Sequence, residues 1–246
     1  MRWKTATGIS GETGADTPHD QFPRSMKTRR VLVLGGTGLL GARIVRLLAG
    51  NDTQVTVFVR PTSDRSPLSD LPVDYVTGDL MNHRDVMNAV KTARPKVIIV
   101  AASSAFRNEH FYETLSKNLV KAAKANAVQQ IIHHGAIGAG DNMALHPQVP
   151  WDSVPGVVRR MQDHGLAEQN LLSSGLNVTI IRNSRVWPDS TPATGHAMLT
   201  EDQRVLTPIT RADLAELTLQ CVDNPACSGK VYHARDDSLG WPPTEK

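Results

Sequence analysis

Residues 31–41, VLVLGGTGLLG, decide the fold. Residues 31–34 are a four-residue apolar run, the length and composition of a buried strand. Residues 39–49 (LLGARIVRLLA) then place apolar groups at 40, 44, 47 and 48, the spacing of a helix face. Between the two, glycines at 35, 38 and 41 form a GxxGxxG spacing. The first permits a tight turn, the second a close approach of backbone to a ligand, the third close packing of helix on strand. A helix that starts here offers unpaired N–H groups and the positive end of its dipole, which suits a phosphate. A glycine triplet alone says little. A triplet that follows a strand, opens an amphipathic helix and heads a βαβ unit is the setting of a dinucleotide site. Gly35, Thr37, Gly38, Leu39, Leu40 and Gly41 are therefore the expected phosphate-binding residues.

The alternation continues down the chain. Short apolar runs at 55–59, 73–76, 96–101, 130–134, 177–181 and 230–233 are interleaved with helix-period stretches at 82–92, 109–126, 157–173 and 211–222. Pro147, Pro150 and Pro155 break a loop over 137–156, and 183–210 is irregular, with a short strand expected near 204–206. The pattern predicts an α/β fold, a doubly wound parallel sheet (Rossmann-like) with right-handed crossovers. It forms a single domain over 29–240, including a small C-terminal substrate cap over about 183–210. Residues 1–28 are polar, have no apolar period and read as a disordered tail. Sheets of this kind bind ligands at the carboxyl ends of their strands, so functional residues are sought just after each strand.

Composition narrows the function. The 246 residues are 40% apolar and 21% charged, which excludes collagen-like, wholly disordered and small disulfide-framework classes. No apolar run approaches the roughly 18 residues of a membrane span, and no secretory apolar core precedes the first strand, so a cytoplasmic protein is expected. Of 27 Lys and Arg, six lie in residues 1–30, against three of 24 Asp and Glu. The remainder is balanced, so the net charge of +3 belongs to the tail and leaves no nucleic-acid footprint. Cys221 and Cys227 flank Asn224-Pro225 without a nearby His pair, and read as two free thiols in a reducing compartment.

The second strand ends at Val59-Arg60. An acid there would hold a ribose 2′-hydroxyl; an arginine pairs instead with a 2′-phosphate. NADP(H) is thereby favoured, with NAD(H) as the alternative. After the third strand, Asp79 and Leu80 suit the adenine edge and face. After the fourth, Ala101, Ala102 and Ser103 are small enough to admit the central riboses.

These pieces resemble the short-chain dehydrogenase/reductase superfamily, and more closely its atypical, NmrA-like NAD(P)H-binding branch. The matching segments are VLGGTGLLG at 33–41, Arg60, Gly78-Asp79-Leu80, the strand ending near His134, and EQNLLSSGLNVTIIR at 168–182. The similarity covers roughly 30–235 and implies the fold and the dinucleotide, not a substrate. Enzymes of the superfamily usually carry a Ser or Thr after the fifth strand and a Tyr-x-x-x-Lys on the next helix. Here the fifth strand leads into Gly135-Ala136-Ile137-Gly138, with no hydroxyl. Counting back from Glu168, the lysine place falls on His164 and the tyrosine place on Arg160. Of the three tyrosines, Tyr75 and Tyr232 lie within strands, and Tyr112 lies on the helix after the fourth strand, where the chemistry is not expected to reach it.

Two functions follow. The first is an NADPH-dependent reductase of a small-molecule carbonyl or activated double bond, with its proton from another group. His164 and Arg160 are the main candidates for the polar pocket, beside His133, Ser103 and Asn183. An imidazole titrates near neutrality, and a guanidinium stabilises developing negative charge. Asn183 stands at the junction after the sixth strand that, by resemblance, passes the nicotinamide amide. Because His133 and His134 alternate along a strand, at most one faces the cleft. Phe106, Trp151, Trp187 and Met198 are the expected apolar wall for an apolar or aromatic substrate. The second function is a non-catalytic NADP(H)-sensing regulator, which the missing Ser/Tyr/Lys set also fits. With only ~60 residues after the sixth strand, the chain is short for an epimerase or dehydratase of sugar nucleotides.

Overall fold

The computed structural model describes residues 29–104 and 110–241; the expected tail and Phe106 lie outside them. Eight strands form one sheet: β1 Arg29–Leu34, β2 Thr53–Val59, β3 Asp74–Thr77, β4 Val97–Val100, β5 Gln130–Ala136, β6 Val178–Asn183, β7 Met198–Thr200 and β8 Val231–Arg235. Their order is β3-β2-β1-β4-β5-β6-β8-β7, all parallel except the edge pair β7–β8. Five helices cover the faces: α1 Leu39–Ala49, α2 His83–Ala93, α3 Phe111–Ala125, α4 Val157–Leu172 and α5 Arg211–Gln220.

The apolar runs end up where a doubly wound sheet needs them. All four residues of β4 are buried, because helices cover both faces. Alternate residues of each strand feed two cores. Val31, Val33, Val57 and Ile99 meet α1 and α5 on one face; Leu32, Leu34, Ile98 and Ile131 meet α2, α3 and α4 on the other. Local chemistry sets the helix starts. Asn82 accepts from the Arg84 N–H at α2, and Thr210 accepts from the Asp213 N–H at α5. The start of α1 differs: its N-cap is Gly38, no side chain caps it, and no acid occupies its first turn.

The chain runs outward from β1 through β2 to β3, then returns across the sheet to β4. The loops after β1 and β4 therefore part company, and a crevice opens at this switch point. It is tight at its base: the Ala101 N–H donates to Leu34 O at 2.9 Å.

Two expectations need correction. The short strand of the irregular region is Met198–Thr200, with Leu199 opposite Ala234, and not near 204–206. There the chain turns instead, because Asp202 accepts the Arg204 N–H through its side chain and the Val205 N–H through its carbonyl. The cysteines are not free thiols. A short 3-10 turn at Pro225–Cys227, capped by Asn224, folds the chain back after α5, so that Cys221 and Cys227, with Cα atoms 5.5 Å apart, form a disulfide. Among the described residues no helix is long and apolar enough to cross a membrane.

Candidate functional site

One cavity of about 1270 Å³ runs along the carboxyl ends of the strands. That exceeds the usual volume of a site for a single small ligand, roughly 300–1,000 Å³. The structure brings to it Gly35, Thr37, Gly38, Leu39, Leu40, Arg60, Asp79, Leu80, Ala101, Ala102, Ser103, Arg160, His164 and Asn183. Of the expected phosphate-binding residues, Gly41 stays behind the loop, buried where α1 meets the strand. Its missing side chain is a packing requirement, since a Cβ there would collide with Gly35 O.

The glycine end fits a dinucleotide phosphate. Gly35 has φ +81°, and a Cβ on it would lie 2.6 Å from Ala102 Cα, across the crevice. The chain can therefore turn beneath a ligand only without a side chain. Beyond it, the uncapped α1 start has no carboxylate to repel an anion. Arg60 is exposed on the same cavity beside Thr62, Ser63 and Asp64, and its N–H donates to Ser63 Oγ at 3.0 Å. Asp79 closes its own turn by accepting the Met81 N–H, so Leu80 lies buried against the cavity edge.

The other end has a polar floor and apolar walls. One face of α4 builds the floor: Arg160, Asp163 and His164 lie at i, i+3 and i+4 and all three hold Tyr112. Asp163 is buried and accepts the Tyr112 and Glu113 N–H groups at 2.9 Å each, capping α3 from a neighbouring helix. The His164 ring stacks on the phenol at 3.6 Å between centroids. Arg160 Nη2 donates to Tyr112 Oη at 3.1 Å and to Ser103 Oγ at 3.3 Å, and the two hydroxyls are 3.3 Å apart. Tyr112 thus reaches the cavity, contrary to the expectation. The sequence signal for it is the 160/163/164 spacing, meaningful only once α3 is known to dock there.

His164 is 4% exposed, and burial, then His133, Arg160 and Arg182, push its pKa well below the ordinary imidazole value. His133 and His134 part to opposite faces as expected. His134 lines the cavity and shares a 3.0 Å hydrogen bond with Thr218 of α5, whereas His133 lies on the α4 side. Burial lowers His133 to about 4; burial and its neighbour lower His134 to about 3.

Behind the floor, Glu168 of α4 and Arg182 of β6 form a buried pair at 2.6 Å. Burial raises the Glu168 pKa, and the guanidinium opposes that rise. Gly135 on β5 makes room, since a Cβ there would strike the Glu168 carboxylate. Arg182 also donates to Gln203 Oε1 at 2.9 Å, so one side chain ties α4, β6 and the cap together. Of the expected wall's described residues, Trp151 alone lines the cavity, joined by Val154, Val157, Met161, Leu206 and Trp241. Met198 stands 54% exposed on the edge strand, and the Trp187 indole turns away to donate to Gly240 O. Asn183 donates to Ser184 O at 3.0 Å.

Known proteins agree with this architecture. The chain is 27% identical over 184 residues to "Putative dihydroflavonol 4-reductase" of Synechocystis sp., covering 68% of this chain and 53% of that one. The chain spans between 36% and 59% of the length of the first curated relatives it matches. Its fold is shared with ChuY, described as an anaerobillin reductase from Escherichia coli O157:H7 (TM-score 0.73, 22% identity, 85% of this chain and 98% of that one). It is shared also with a short-chain dehydrogenase/reductase from Veillonella parvula in complex with NADP (TM-score 0.68, 18% identity, 88% and 99%). A family model described as NAD(P)H-binding matches residues 35–225. With the glycine cradle, the switch point and the sheet order in place, the chain belongs to the NAD(P)H-binding family whose model it matches.

Proposed function

We propose that this protein is an NADPH-dependent reductase of a small, largely apolar molecule bearing a carbonyl or an activated double bond. The observation that carries this reading is the continuity of the cavity. The phosphate cradle at Gly35–Gly38 opens without a wall into a chamber with a polar floor at Ser103 and Arg160 and apolar sides at Trp151, Val157 and Met161. When bound, a reduced nicotinamide supplies a hydride. The chain's part is orientation, exclusion of water and management of charge.

The residues divide the work. Gly35, Thr37, Gly38, Leu39 and Leu40 hold the pyrophosphate, with Gly41 fixing the helix behind them. Asp79 and Leu80 take the adenine, Ala101 and Ala102 make room for the riboses, and Asn183 offers its side-chain oxygen to the carboxamide. Arg60 is the choice between dinucleotides. It is exposed on the cavity rim and is a cation where a 2′-phosphate needs one. Arg160, donating to Ser103 and Tyr112, stabilises negative charge that develops at the floor, and His164 supports the floor by stacking on Tyr112.

Fluorescence titration with NADPH and NADH tests the cofactor assignment. Wild-type protein should prefer NADPH. Arg60→Ala should weaken NADPH by about 10- to 100-fold, the worth of one charge-assisted hydrogen bond, and leave NADH unchanged. Equal loss for both dinucleotides would make Arg60 a structural residue. Binding of neither would remove the reductase reading.

A further inference from the structure

We propose that Ser103, Tyr112 and Arg160 form a proton-delivery unit, in which Ser103 protonates the substrate, Tyr112 replenishes Ser103, and Arg160 holds the charge left behind. The proposal rests on the reductase reading above.

The argument starts from hydrogen-bond direction. A guanidinium has only donors, so both Arg160 contacts place N–H protons on the oxygens of Ser103 and Tyr112. Between the two hydroxyls only one proton can lie on the shared line. The phenol donates outward to Ser103 Oγ, and because Ser103 is exposed and Tyr112 is 2% exposed, the serine is the member a ligand meets. The order is cavity, Ser103 Oγ, Tyr112 Oη, Arg160 Nη2.

The phenol is held more firmly than packing requires. Its backbone N–H is fixed by Asp163, its ring by the His164 stack and its oxygen by Arg160, all from one face of α4. Phe111 packs edge-on against the ring, with centroids 5.1 Å apart.

The step balances. As hydride reaches the substrate carbon, the C=O π pair moves to oxygen. That oxygen takes the Ser103 proton while Ser103 takes the Tyr112 proton. The negative charge comes to rest on Tyr112 Oη against Arg160 and is discharged by a proton from water. The carbonyl is reduced to an alcohol, NADPH is oxidised, and one solvent proton is consumed.

The test compares wild type, Tyr112→Phe, Ser103→Ala, Arg160→Lys and Arg160→Gln. Reduction of 4-nitrobenzaldehyde and 2-cyclohexenone by NADPH is followed beside NADPH affinity and thermal midpoint. Tyr112→Phe keeps the ring and its stack, so NADPH affinity and midpoint should hold. Its kcat should fall by about 10²- to 10⁴-fold, the worth of a general acid, with KM little changed. Ser103→Ala, at an exposed position, should show the same split even if the phenylalanine variant folds poorly. Arg160→Lys should recover part of what Arg160→Gln loses. Turnover of Tyr112→Phe or Ser103→Ala at the wild-type rate overturns the relay and leaves the reductase reading intact. Loss of NADPH affinity in step with kcat also overturns it, making these binding residues. Failure of wild type to reduce either compound while binding NADPH overturns the reductase reading and the relay with it.

Discussion

At the scale of the residue, Gly35 and Tyr112 mark the two ends of what the sequence discloses. Gly35 is legible because its reason is local: a tight turn between a strand and a helix, in a conformation, φ +81°, that glycine adopts without strain. Gly35→Ala should both strain this turn, by about 1–2 kcal/mol, and press a methyl into the Ala102 backbone. The expected outcome is a lowered thermal midpoint with NADPH binding lost in the same variant. Retained binding at the wild-type affinity would show that the crevice is wider than its 2.6 Å approach implies. Tyr112 is illegible for the opposite reason. Nothing within several residues of it hints at a role, because Asp163, His164 and Arg160 reach it from about 50 positions away. Arg160 and His164 were found through the helix they occupy. What they do depends on the helix they meet. The apolar wall failed in the same way: Trp151 sits in the cavity, while Trp187 and Met198 were carried off by loop paths that residue type does not encode.

At the scale of the element, the apolar periods located all five helices and seven of the eight strands, since burial of a face is written into spacing. The missed element, Met198–Thr200, is a three-residue edge strand with an exposed and an intermediate side, too short to carry a period. The turn after α5 was missed because the spacing of two cysteines does not by itself show whether their side chains meet. Only the 3-10 turn capped by Asn224 brings them together. The consequence is measurable. Thiol titration of the unfolded, unreduced protein should find no free sulfhydryl, and two after reduction. Loop-closure entropy gives the bond a worth of about 2 kcal/mol, so reduction should lower the denaturation midpoint correspondingly. Two thiols without reduction would restore the sequence-based expectation.

At the scale of the whole molecule, the sheet buries two adjacent histidines, His133 on one face and His134 on the other, in neutral form. The unfolded chain binds protons at an ordinary imidazole pKa near 6.5, well before the folded one does. Stability is therefore full above about pH 6.5 and is lost as pH falls toward about 4 for His133 and about 3 for His134. His133 alone accounts for on the order of 3 kcal/mol across that window. Urea unfolding at pH 7.5 and pH 5 should show the decline, and His133→Gln should flatten it even if it lowers stability overall. A slope unchanged by that substitution would place the acid sensitivity elsewhere. The sheet order has a different consequence. The loops after β1 to β4 carry the cradle and one edge of the chamber floor, the loops after β5 and β6 carry chamber walls, and Arg182 is a bridge from the second half to its cap. A molecule so divided can be retuned like an instrument with a fixed body and exchangeable mouthpiece. On the proposed function, substitutions in residues 137–156 and 184–210 should alter which compound is admitted and leave the grip on the dinucleotide unchanged.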